Sequence, residues 1–384
     1  MTESKKTLLP LLCLVLGALC LAAADSALAA AEQSARVGFK TLGLWHAHNN
    51  TRADLAVWYP AGRAPSELHY GPWTIKAARN AKELPGRFPL IIISHDSPGT
   101  RFSHHGSAEA LAKSGFVVAT LTHRGDNMDD MSHLFTLEQI RRRAAQIHAV
   151  LDTLFSNPET RGFIDARRIG VVGFGAGGSV ALLLGGARLD GRHWPKYCGR
   201  AEADDPYCSP WAASRMSALA ASLPLPRPLT DARVKAIAAV APAYGMLFTK
   251  ESLAELRIPT LILRAENDHI NRSPLHAEAI RDGMPHASTY AVITGADGAA
   301  LMSACPPVVL RDLPELCSRV SVEKRMHIHH QLNALLIRFL LAQLGQALPD
   351  EQPALAPPQN AELHIELPPP ASQQDSKTKG RKRK

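Results

Sequence analysis

Hydrophobic and polar positions follow two alternating rhythms along most of this chain. Phe88-Pro89-Leu90-Ile91-Ile92-Ile93-Ser94 is a nearly continuous apolar run, as a strand buried on both faces requires. Phe116 to Leu121, Ile169 to Gly173, Val234 to Ala241, Thr260 to Leu263 and Ser288 to Ile293 read the same way. Between them lie segments of helical period: Ser107 to Ser114, Leu134 to Leu154 with Arg141, Arg142 and Arg143, a helix opening at Gly178, and a closing helix from His330 to Leu344. Two earlier strands are expected over Arg36 to Leu44 and Ala53 to Tyr59, followed by a loop through Pro72 and Lys82. Strands alternating with helices predict an α/β fold: a mostly parallel, doubly wound sheet with helices on both faces.

Two regions break the rhythm. Residues 189–231 hold Trp194, Trp211, several prolines and two cysteines, and read as a small cap insertion. Residues 348–384 are Pro- and Gln-rich and too poor in apolar groups to pack, which predicts a disordered tail. The folded domain is then expected over 36–347. At the other end, Lys5 and Lys6 precede an apolar run and an Ala27-Leu28-Ala29 site, so residues 1–29 read as a secretory signal. This places the protein in the periplasm or outside the cell, with no transmembrane segment once the signal is removed.

Charge changes the picture little. The formal net charge is +8, but Ser376 to Lys384 alone carry six Lys or Arg and no acid. The rest is close to balanced, which gives no basis for a nucleic-acid partner. The basic end is a candidate contact for anionic surfaces. Past the signal, Cys198, Cys208, Cys305 and Cys317 allow three disulfide pairings. The two local pairings are favoured because each closes a short loop. A four-cysteine zinc site is the alternative, although no CxxC spacing occurs.

The strand-turn-helix Ile169-Gly170-Val171-Val172-Gly173-Phe174-Gly175-Ala176-Gly177-Gly178 admits two readings. Gly173, Gly175 and Gly178 fit a dinucleotide fingerprint, but no second strand leads to an acid such as Asp190. Gly173 and Gly177 also fit the flanking glycines of a nucleophile elbow. Several motifs favour the elbow. They are the strand ending at His95, Ala112-Lys113-Ser114-Gly115-Phe116-Val117-Val118-Ala119, His123-Arg124-Gly125-Asp126, Asp165-Ala166-Arg167-Arg168-Ile169-Gly170, Ile258-Pro259-Thr260 with Asp268, and Gly295-Ala296. Together these resemble the dienelactone-hydrolase-like and platelet-activating-factor-acetylhydrolase-like proteins over roughly 88–344. The resemblance implies the α/β-hydrolase fold and a serine–histidine–acid site.

On that resemblance the catalytic positions are changed. Gly175 stands at the nucleophile position, Gly298 at the histidine position, and Asp268 remains as the acid. The oxyanion loop reads His95-Asp96, which puts a carboxylate where negative charge must be stabilised. His95, Asp96, Ala176 and His123 are the expected binding residues. The expectation is therefore a non-catalytic protein that binds a small acyl or lipid-like ligand. The alternative is a carboxylic-ester or lipid hydrolase whose site has been rearranged around Ser97, Ser179 or Ser303. His95, Asp96, His104, His105, His123 and Asp126 gather near strand ends but match no metal spacing, so no metal or cofactor is assigned.

Overall fold

Leu90 and Ile92 of the central strand point one way and Ile91 and Ile93 the other, so a packing layer is needed on each face. The computed structural model supplies both. It describes residues 36–46, 51–223, 229–284, 288–312, 314–317 and 320–345. The expected signal and tail lie outside the described residues.

Ten strands form one sheet: β1 (Val37–His46), β2 (Thr51–Pro60), β3 (Ser66–Tyr70), β4 (Trp73–Arg79), β5 (Phe88–Ser94), β6 (Val117–Thr120), β7 (Ile164–Phe174), β8 (Val234–Val240), β9 (Thr260–Ala265) and β10 (Thr289–Ile293). Their order is β10-β9-β8-β7-β5-β6-β2-β1-β4-β3. From β6 to β10 every neighbouring pair is parallel, while β2 joins β6 and β1 antiparallel. The predicted strands are all present. The expected loop after β2 is instead a β3–β4 hairpin. Its alternation is visible in β4, where Trp73, Ile75 and Ala77 are buried and Thr74 and Lys76 exposed.

On one face lie α1 (His105–Lys113) and, at the end of the chain, the longest helix. On the other lie α2 (Leu137–Ser156) and α3 (Ala176–Leu184). Between α3 and β8 come α4 (Trp194–Cys198) and α5 (Pro210–Ala221), in the stretch read as an insertion. The short α6 (Lys250–Leu253), α7 (Ala277–Gly283), α8 (Pro307–Asp312) and α9 (Pro314–Cys317) precede the closing helix α10 (Val322–Leu344). That helix begins eight residues before the expected His330. Ser321 caps it by accepting the Lys324 N–H, and Glu323 sits in its first turn.

Both local disulfides form. Cys198 and Cys208 have Cα atoms 5.6 Å apart, and Cys305 and Cys317 5.8 Å. No described helix is long and apolar enough to cross a membrane.

Candidate functional site

The turn from β7 into α3 is built from glycines because nothing else fits. A Cβ on Gly173 would lie 2.0 Å from the Gly177 carbonyl oxygen, and one on Gly177 would lie 2.2 Å from that of Ser94. Gly175, between them, has φ of +50°. That backbone strains any side chain, and glycine holds it without penalty. A Cβ there would also meet the carboxylate of Asp96, with Oδ1 only 1.8 Å away. Asp96 therefore fills the space into which a residue-175 side chain would project.

The carboxylate is held there by hydrogen bonds. Its Oδ1 accepts the N–H of Ala176 at 2.9 Å and of Ser97 at 2.7 Å. Ala176 opens α3, so the amide that follows the turn is already occupied by an anion. Burial pushes the Asp96 pKa up to about 6, against the pull of those two amides and of Arg143, and Asp268 pushes it further.

Asp268 follows β9. Its Oδ1 accepts the N–H of Ile270 at 2.9 Å and of Asn271 at 2.8 Å. Its Oδ2 is buried with no hydrogen-bond partner. A Cβ on Gly298 would stand 3.6 Å from that oxygen, in ordinary contact. Gly298 thus opens towards an acceptor that an imidazole N–H at this position would satisfy. Burial raises the Asp268 pKa, and the amides of Asn271 and Ile270 partly offset it.

His95 and His123, expected as binding residues, stand behind the site and not in it. Both are buried. His95 Nδ1–H donates to the Asp96 carbonyl at 2.6 Å, and its Nε2 accepts the His123 N–H at 3.0 Å. His123 Nδ1–H donates to Gln146 Oε1 at 2.8 Å, and its Nε2 accepts from Ser94 Oγ at 2.8 Å. With every ring nitrogen engaged, neither side chain can serve a ligand. Burial holds His95 neutral, with its pKa down to about 3, and pushes that of His123 down as well.

Arg143 organises the same region, and in the sequence only the phase of the apolar stripe sets it apart from Arg141 and Arg142. Its Nε donates to Asp126 Oδ2 at 2.6 Å, and both side chains are 1% exposed. Its Nη1 donates to the His95 carbonyl at 2.5 Å and its Nη2 to Ser97 Oγ at 3.0 Å. Ser97 Oγ in turn donates to Asp126 at 2.8 Å. Ser179 Oγ donates to the Ala243 carbonyl, and Ser303 Oγ accepts from the Gly106 N–H at 3.0 Å. These hydrogen bonds of the three serines run to Asp126, Arg143, the Ala243 carbonyl and the Gly106 N–H, and not to a histidine. Among the described residues no group of three or more His, Cys, Asp or Glu could hold a metal.

In front of the turn is a cavity of about 480 Å³. Asp96, Gly175, Ala176, Asp268 and Gly298 line it, so five of the seven expected site residues meet there. Its remaining wall was not anticipated. Phe135, Tyr207, Trp211 and Tyr244 form a ring cluster, with Tyr207 lying 5.4 Å from both Phe135 and Tyr244. His104 also lines it, stacked 3.5 Å from Phe174. Its Nδ1–H donates to the Leu301 carbonyl at 3.1 Å, and burial drives its pKa well down.

The model of the dienelactone hydrolase family matches residues 75–191, from within β4 to just past α3. A ferulic acid esterase from Streptomyces cinnamoneus is similar in structure, with a TM-score of 0.56 and 18% identity, over 83% of this chain and 93% of that one. At that identity the likeness concerns the fold. Among curated proteins none matches the sequence. By sheet order, by its strand-turn-helix geometry and by the structural likeness, the chain has the α/β-hydrolase fold, and over residues 75–191 it is similar to the dienelactone hydrolase family.

Proposed function

We propose that this protein is an exported, non-catalytic member of its fold that uses the old catalytic pocket to bind a small molecule. The observation that supports this most is the place of Asp96, whose carboxylate takes both the space beside Gly175 and the Ala176 amide. Acyl transfer needs a nucleophile, a base and free donors for the developing oxyanion. Glycine supplies neither nucleophile nor base, and the donor is already bound to an anion. Loss of a triad in such enzymes costs about 10⁶ in turnover, roughly 8 kcal/mol of barrier.

The test is reconstruction. The native chain is expected to resist a fluorophosphonate probe and to leave short-chain nitrophenyl esters intact. Gly175→Ser alone drives its Cβ into Asp96 and has no base, so it stays inactive and loses stability. Gly298→His alone has no nucleophile to activate. Gly175→Ser with Gly298→His and Asp96→Gly clears the clash, frees the Ala176 amide and lets Asp268 orient the new imidazole. Measurable esterase activity is expected only from that combination, because triad members act as a unit. Labelling of the native chain would instead establish the rearranged ester hydrolase.

A further inference from the structure

The binding reading leaves the ligand unnamed, and the lining of the cavity narrows it. Two carboxylates, Asp96 and Asp268, face the same space as Tyr207, and the charge of each bears on that ring. Among the described residues that line the cavity there is no Lys or Arg. Arg143 lies close by, but it is buried and committed to Asp126. Each carboxylate uses one oxygen on backbone amides. Both bonds of Asp96 go to Oδ1, and Asp268 Oδ2 has no partner at all. A buried carboxylate oxygen without a donor is costly, so the site is short of N–H groups and of positive charge.

The rest of the wall mixes aliphatic and polar groups, His269 beside Asp268 among them, with an aromatic cluster of Phe135, Tyr207, Trp211 and Tyr244. The hydroxyls of Tyr207 and Tyr244 are turned to Asn271 and Gln139, at 2.7 and 2.6 Å, so these residues offer rings and not donors. Trp211 is 53% exposed, and its ring already carries the Arg215 guanidinium 5.4 Å from its centroid. Aromatic faces beside carboxylates favour organic cations. A fatty acid or other carboxylate would meet like charge, and a neutral acyl chain would leave Asp268 Oδ2 unsatisfied.

We propose that this cavity binds an alkyl- or arylalkylamine in its protonated form, with the ammonium N–H groups on Asp96 and Asp268 and the apolar body against Phe135, Tyr207 and Trp211. The two open carboxylate oxygens call for N–H donors, which a quaternary ammonium lacks. The assignment rests on the binding reading above and is offered in place of the expected acyl or lipid-like ligand.

The experiment uses the full chain and four probes: phenethylammonium, its trimethylated derivative, phenethyl alcohol and phenylpropanoate. Phenethylammonium is expected to raise Tm with concentration, by mass action on the folded state. The trimethylated probe should bind more weakly, and the alcohol and the carboxylate should leave Tm unchanged. By calorimetry, Asp268→Asn should weaken phenethylammonium about tenfold or more. The amide oxygen of that variant still accepts from Ile270 and Asn271, so the loop is kept. Asp96→Asn should weaken it likewise. A carboxylate or alcohol that stabilises the protein as well as the amine would overturn the proposal, as would unchanged affinity in a folded Asp268→Asn. Should that variant fail to fold, the ranking of the four probes on the native chain still decides. Reaction with a fluorophosphonate would sink the non-catalytic reading alone, because it does not alter that ranking.

Discussion

One side chain, Asp96, sets the character of the site. Its carboxylate carries charge above a pKa of about 6 in the folded protein, whereas an unfolded aspartate ionises near pH 4. Arg143 and the amides of Ala176 and Ser97 favour the charged form, while burial and Asp268 oppose it more strongly. The folded state thus binds the proton more tightly, so ionised Asp96 destabilises the fold above about pH 6. That destabilisation is relieved as pH falls through about 6 and is gone near pH 4. Asp96→Asn keeps an acceptor for both amides and removes the charge. It should therefore be more stable than the native chain at pH 8, by about 1–3 kcal/mol. The difference should shrink to nothing near pH 4, as followed by urea denaturation across that range. A gap independent of pH would mean that the carboxylate is not the titrating group.

At the scale of elements, α2 makes the pocket possible. Gln139, Arg143 and Gln146 recur at helical spacing beside Ile140, Ala144, Ile147 and Leu151, on the buried side of the helix. Arg141 and Arg142 point outward and are 59% and 49% exposed. Gln139 donates to Asp126 at 2.6 Å and accepts from Tyr244, which joins the helix to the loop after β6 and to the aromatic wall. Breaking a buried ion pair leaves an uncompensated charge. Arg143→Met should cost about 3–5 kcal/mol, whereas Arg141→Met should stay within about 0.5 kcal/mol. Arg143→Met combined with Asp126→Leu should cost less than the sum of the two single changes, since no lone charge remains. Chemical denaturation of these variants and of Asp126→Leu alone, four in all, measures this. A run of three arginines in the sequence reveals the helix but ranks them only through the phase of the apolar stripe.

For the whole molecule, the disulfides tie the pocket wall to the export expected from the N-terminal sequence. Cys198–Cys208 closes the loop that carries Tyr207 and follows Tyr197, whose hydroxyls reach Asn271 at 2.7 Å and Asp205 at 2.6 Å respectively. Its loop spans 10 residues, so removing the bridge as Cys198→Ser with Cys208→Ser should cost about 2–3 kcal/mol. Peptide mapping without reductant should recover both local pairs from protein made in an oxidising compartment. Finding four free thiols there would count against both the pairing and the expected location.

The sequence by itself determined the alternation of the main strands and helices from residue 88 onward, the glycine turn and the glycines at 175 and 298, and it favoured the local cysteine pairs. Those features rest on periodicity and spacing between near neighbours, where backbone geometry leaves few choices. It also placed Asp96 in the oxyanion loop. Only the tertiary structure decided that Asp96 reaches the amide of Ala176, 80 positions away, and so occupies the space beside Gly175. Likewise, His95 and His123 read as ligand-binding histidines until packing supplied a partner for every ring nitrogen. The aromatic wall comes from 135, 207, 211 and 244, three separate segments brought together by the sheet and the helices that follow it. Such meetings depend on strand register and on which helix covers which face, and no local pattern encodes them.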